Sequence, residues 1–247
     1  MNIGCSRRAV VSIVLGGLAM SLLVSACGEE LAVGRTAAKD VFEDARVVQL
    51  LKAATHVDGA RARQEIDRGA DVNALGNGGM TPLLWALGMH NLQAVALLLD
   101  LGARPDFYAI PTEGKRSLPP PSWVATATGQ SDALKILLSH GANPNLVFGG
   151  KSLLIVAMQE DRLDCADLLL KRGADVNFSD GPMNVMFAAV SNHHFRAALW
   201  ALNHGYRHDL QMAQRMLAGE VASPAEELAK QQALVIVANL LSSGAPK

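Results

Sequence analysis

The sequence predicts an all-α solenoid of about six helix-turn-helix repeats with finger loops, and three observations predict it. A glycine followed by alanine or tyrosine recurs at Gly69, Gly102, Gly141, Gly173, Gly205 and Gly244, with spacings of 33, 39, 32, 32 and 39 residues. Leucine-rich helix ends precede several of these glycines, as at Leu97-Leu98-Leu99 and Leu168-Leu169-Leu170. A helix stops where a residue tolerates a left-handed backbone, which glycine does without a Cβ penalty. Half of the 247 residues are apolar and only 4% are aromatic, at a net charge of -1. That composition suits a helix-rich packed chain and offers no basic excess for nucleic acid.

Taken in order, the chain opens with a segment that stands outside the fold. Arg7 and Arg8 precede an apolar run from Ala9 to Val24. The run is short for a membrane span and suits a secretory signal. Val24-Ser25-Ala26-Cys27 resembles a bacterial lipobox, which implies residues 1–26 as signal peptide and an acylated Cys27. Each buried CH₂ of such a lipid adds roughly 0.8 kcal/mol of membrane affinity, so anchoring needs no spanning helix. Gly28 after the cysteine favours the outer membrane over the inner. Residues 27–40 read as a polar tether. Cys5 leaves with the signal and Cys27 is blocked, so Cys165 is the one free thiol and reads as a small core residue.

The repeat domain is expected over 41–247, with caps at about 41–73 and 206–247. Phe42 precedes an amphipathic helix from Ala45 to Ala54, and its partner from Ala60 to Arg68 is polar around Ile66. A terminal repeat needs such a wettable face. In the second repeat Thr81 caps a helix with Pro82 at its first position. Val95, Leu98 and Leu99 supply the apolar face of the next helix. The connection from Arg104 to Trp123 is about six residues longer than its equivalents and carries Phe107, Tyr108 and three consecutive prolines from Pro119. In the fifth repeat Phe195, Ala198, Leu199 and Leu202 form the apolar face, with Trp200 at its border. The connection after Gly205 lengthens too, with an extra helical turn between Leu210 and Leu217. Ser223 and Glu226 form a capping box that opens the sixth repeat, and Leu234 to Leu241 is the last helix.

The period near 33, with its Gly-Ala-Asp-Val-Asn and Thr-Pro-Leu wording, resembles the ankyrin repeat from Ala45 to Ala245. Thr81-Pro82-Leu83-Leu84, Ser152-Leu153-Leu154-Ile155 and Met183-Asn184-Val185-Met186 hold the family's Thr-Pro-Leu-His position, and none keeps the histidine. The resemblance implies a protein partner held by the finger tips and the first helices' inner face. The corresponding finger residues are Leu75, Asn77 and Met80, then Val147, Phe148 and Lys151, then Ser179 and Asp180. Groove positions are Gly88 and Met89, Ala127 and Thr128, Gln159 and Glu160, and Val190 and Ser191. Phe107, Tyr108, Lys115, Arg116 and Trp123 on the long connection join them, since Tyr, Trp and Arg dominate interface hot spots. Trp123 has a second reading, as filler for the gap its repeat leaves by lacking the family's leucine and histidine.

Catalytic motifs are absent: no Gly-x-Ser-x-Gly elbow, no phosphate loop, no His-Glu-x-x-His helix. No cofactor and no enzyme activity are expected. His193, His194, His204 and His208 cluster in sequence, which leaves a metal protein or enzyme as the minor alternative. The main expectation is a monomeric, lipid-anchored periplasmic binding protein with one protein partner. It looks like the ankyrin lipoproteins encoded beside type VI secretion phospholipases, which implies an immunity protein. A scaffold for a periplasmic enzyme, such as one of oxidative-stress defence, is the rival within that class.

Overall fold

The computed structural model describes residues 10–15, 18–23, 32–33, 36–109 and 118–243. Cys27 and its lipobox, Lys115, Arg116 and Gly244 lie outside the described residues. Two short strands, β1 (Val10–Leu15) and β2 (Leu18–Leu23), pair antiparallel. No helix among the described residues is long and apolar enough to cross a membrane. The chain divides into two compact units, residues 1–124 with 139–142, and residues 125–138 with 143–247.

In the first unit β3 (Ala32–Val33), β4 (Thr36–Ala37) and α1 (Ala38–Val41) lead into the helix pair α2 (Ala45–Thr55) and α3 (Gly59–Asp67). Val33, Ala37, Ala38, Val41 and Phe42 are all buried, and the Phe42 ring meets Trp85 edge-on at 6.0 Å. Val33, Ala37 and Ala38 thus find cover within the stretch read as a tether, while Thr36, Lys39 and Asp40 stay exposed. In α3 it is Glu65, not Ile66, that is buried, with Arg68 Nη1 donating to its carboxylate at 3.0 Å. The second pair is α4 (Pro82–Gly88) and α5 (Leu92–Asp100). Thr81 Oγ1 accepts from Leu84 N at 3.1 Å, and Val95, Leu98 and Leu99 are buried as the spacing requires. Next come α6 (Pro121–Ala127) and α7 (Ser131–Ser139), and the division between the units falls along these two helices.

The second unit holds hairpin β5 (Val147–Phe148) and β6 (Lys151–Ser152), then α8 (Leu153–Gln159) and α9 (Leu163–Lys171). Hairpin β7 (Ser179–Asp180) and β8 (Met183–Asn184) precedes α10 (Val185–Ser191) and α11 (Phe195–Asn203). The last pair is α12 (Leu210–Gly219) and α13 (Glu227–Ser242). Cys165 is 1% exposed, and burial pushes its thiol up to about 11, which leaves it protonated and inert at neutral pH.

Three turns each place an asparagine that ties its repeat to the next. Asn73 Nδ2 donates to Gly102 O at 3.1 Å while its Oδ1 accepts from Arg104 N at 2.8 Å. Asn145 does the same for Gly173 O and Asp175 N, and Asn177 for Gly205 O and Arg207 N. Each rung satisfies a helix-terminal carbonyl and a loop N–H that would otherwise be orphaned. Asp106 holds this position where the connection is longest, and a carboxylate has no N–H to give. It accepts from Ser122 Oγ at 2.5 Å instead.

Two sequence expectations fail in the sixth repeat and one in the fifth. The helical turn expected between Leu210 and Leu217 is present as α12, but it is the first helix of the repeat and not an insertion in a lengthened connection: no finger hairpin precedes it, and Asp209 caps it by accepting from Met212 N at 2.9 Å. The added residues go into longer helices and the loop between them. Ser223 and Glu226 form no capping box. Glu226 reaches α11 instead, accepting from Arg196 N at 2.8 Å and from Arg196 Nε at 2.7 Å. That helix has His194 at its N-cap with no side-chain cap of its own, so the glutamate fills the vacancy. In α11 Trp200, placed at the border by spacing, is 9% exposed with its Nε1 donating to Asp167 Oδ1 at 2.8 Å.

Candidate functional site

The candidate site is built on turns, because turns are where the repeat exposes side chains without disturbing its core. In the first unit the finger closes when Gly76 N donates to Met80 O at 2.8 Å. A Cβ at Gly76 would sit 2.7 Å from Val41 O, so only glycine fits there. This fold leaves Leu75 51% exposed at the rim of a cleft of roughly 760 Å³, lined also by Arg104, Pro105, Phe107 and Tyr108. The Arg104 guanidinium lies over the Phe107 ring, 3.9 Å from its centroid. A cation on one face of an aromatic ring leaves an apolar, partly charged cradle that suits an aromatic or aliphatic side chain of another protein.

Sequence reading named Leu75, Phe107 and Tyr108 and missed Arg104 and Pro105. The signal was present: these two replace the Asp-Val of Gly-Ala-Asp-Val-Asn at Asp71-Val72 and Asp175-Val176. Asn77 is exposed and donates from Nδ2 to Asp40 O at 2.9 Å. Met80 and Met89 are half-buried, and Gly88 lies against Val33, whose Cγ1 would be 3.2 Å from an added Cβ. Trp123 is half-buried on α6 rather than displayed on a loop, which fits its reading as filler.

In the second unit Gly149 and Gly150, at φ 58° and 76°, make the two-residue turn that pairs Phe148 with Lys151. The turn raises Val147, which is 41% exposed, while Phe148 is half-buried. Lys151 Nζ donates to Gln159 Oε1 at 2.6 Å, and Gln159 Nε2 to Glu160 Oε1 at 3.4 Å. Three predicted residues therefore meet in one polar row beside an apolar tip. Ser179 is half-buried and Asp180 exposed; Ala127 and Thr128 are half-buried and Ser191 exposed. Val190 is fully buried and leaves the groove set, because it faces the core of its own repeat.

The histidines do not converge. His194 Nδ1 lies 3.2 Å from Met158 O, and His204 stacks on Trp200 at 4.2 Å with Nδ1 2.7 Å from its carbonyl. His193 Nδ1 is 3.8 Å from Glu220 Oε2. Among the described residues no group of three or more His, Cys, Asp or Glu side chains is placed to hold a metal ion.

Residues 119–180 match the family model of ankyrin repeats in three copies. A 111-residue stretch, 45% of the chain, is 32% identical to the ankyrin repeat domain-containing protein SAT10 of Stachybotrys chartarum. That match takes in only 5% of the fungal protein's length. Residues 119–180 are therefore similar to ankyrin repeats, and the same capped helix pairs and asparagine rungs before and after them in the chain make its fold class the all-α ankyrin-repeat solenoid.

Proposed function

We propose that this chain is a periplasmic, lipid-anchored immunity protein that binds an antibacterial effector of phospholipase type and occludes it. The observation that carries the reading is the cleft at Leu75, Phe107 and Tyr108 with Arg104 over the ring. An exposed apolar cradle on an interaction module is expensive unless a partner covers it. The N-terminal wording from Arg7 to Cys27 supports the address, and the resemblance to ankyrin lipoproteins beside secreted phospholipases supports the role. Occlusion needs no catalytic group on this side of the complex, which agrees with the absence of any catalytic motif in the sequence.

Co-expression tests it. A neighbouring effector gene directed to the periplasm should arrest growth, and this chain should restore it and co-purify with the effector. Cys27→Ser should move the chain from the membrane to the soluble periplasmic fraction. Rescue by the chain with no complex formed, or a harmless neighbour, would discard immunity and leave the scaffold role.

A further inference from the structure

The outward face of α13 departs from the rule the earlier repeats set. In the second helix of each preceding full repeat, the second position is Gln93, Asp132, Asp164 or Arg196, and the ninth is Asp100, Ser139, Lys171 or Asn203. All eight are polar and exposed. In α13 those two positions are Leu228 and Val235, 71% and 59% exposed. Two large apolar groups on a face that these four helices keep polar call for cover.

We infer that α13 pairs antiparallel with α13 of a second copy of this chain. Gln231 and Gln232, both exposed, lie between Leu228 and Val235 on the same face, at offsets of three, four and seven residues. That stripe reads the same from either end: apolar, amide pair, apolar. A two-fold axis between the glutamines sets Leu228 on Val235 of the second copy twice over, and lets the two amide pairs hydrogen-bond across the axis. A self-complementary patch is what an isologous interface requires. Charge agrees, since α13 carries only Glu227 and Lys230. Glu227 accepts from Gln231 Nε2 at 2.7 Å and Lys230 donates to Glu220 O at 2.6 Å, so neither is set against its like. A lipid surface would select a basic rim, and from Gln231 to Ser242 there is no charged residue. A single helix pair buries less than the roughly 800 Å² per partner of a standard complex, so the dimer is weak and concentration-dependent. The pairing departs from the monomer expected from sequence.

The test is sedimentation velocity on the full chain in mild detergent over a wide concentration range. Wild type should shift from one chain to two as concentration rises. Leu228→Glu and Val235→Lys should each stay single, with circular dichroism and melting unchanged because both side chains are exposed. Mixing the two variants should restore the dimer, since the glutamate of one then meets the lysine of the other. A wild type that stays single at the highest concentration, or a mixture no better than its parts, overturns the pairing. So does a single-chain wild type whose Leu228→Glu variant loses a captured protein, which would assign the stripe to that protein instead.

Discussion

Two connections in this molecule have the same length by the glycine count and opposite structures. Gly102 to Gly141 and Gly205 to Gly244 each span 39 residues where the other spacings are 32 or 33. In the first, the second helix ends on time and α6 waits until Pro121, so the surplus lies between repeats. In the second, α12 starts at Leu210, the finger is gone, and the surplus goes into α12 and α13. Composition decides between the two. Leu210, Ala213 and Leu217 recur at helical spacing and all are buried, so that surplus earns its place in the core. The first surplus carries prolines, which cannot continue a helix, and the aromatic residues beside it, Phe107 and Tyr108, are half-buried and outside the core. A period counts residues; the apolar pattern within it says where they go.

Breaking that comparison starts where burial is deepest. Leu217 is fully buried on α12. Leu217→Ala should cost about 3 kcal/mol by lost transfer energy and the cavity left behind. Urea unfolding followed by circular dichroism checks it, and a loss under about 1 kcal/mol would mean that α12 is an appendage and not part of the last repeat.

Next in size is the cap supplied across repeats. Glu226→Gln keeps the shape but removes the charge from the N-terminus of α11, and should cost about 1–2 kcal/mol. A double-mutant cycle with Arg196→Ala apportions it, with most of the loss surviving in the Arg196→Ala background because the backbone N–H of residue 196 remains a donor.

These two residues also show what was legible in the sequence. Helix pairs, glycine stops and the Thr81 cap could be read because each depends on neighbours within a few positions. Glu226 was misread because Ser-x-x-Glu is a local pattern and its true partner is 30 residues away. Trp200 was set at a border by spacing, yet Asp167, 33 residues earlier, gives its indole N–H a partner and lets the ring go in. The lining of the candidate cleft was legible as far as Leu75, Phe107 and Tyr108. Arg104 was passed over because its role is to lie on a ring, which no spacing rule reports.

The short connection should also answer to alkali. Tyr206 is 1% exposed, holds the slot filled by alanine in earlier repeats, and donates its hydroxyl to Asn184 Oδ1 at 3.2 Å. Burial pushes its phenol well above the usual 10.0, with the Asp209 carboxylate adding to the shift. The folded state therefore keeps the proton that the unfolded state gives up. Stability from this group is complete below pH 10 and falls as pH rises beyond it. Tyr206→Phe should lose about 1 kcal/mol at neutral pH with the hydrogen bond, and should be less sensitive to alkali than wild type. Unfolding midpoints on both sides of the tyrosine range measure this, and parallel curves for the two proteins would count against it.

The smallest effect on stability belongs to the long connection, and it matters most for function. Tyr108 and Leu75 line the cleft and neither is in the buried core. Tyr108→Ala with Leu75→Ala should change unfolding free energy by no more than about 0.5 kcal/mol, since surface substitutions away from caps and cores rarely do more. The same pair should weaken capture of the partner at least tenfold, about 1.4 kcal/mol, because such anchors concentrate binding energy. A variant as stable as wild type that still captures its partner at full strength would move the interface away from this cleft, to the Val147 finger of the second unit. A variant that unfolds would mean that the surplus in the first connection is packed as tightly as α12, and the contrast between the two connections would disappear.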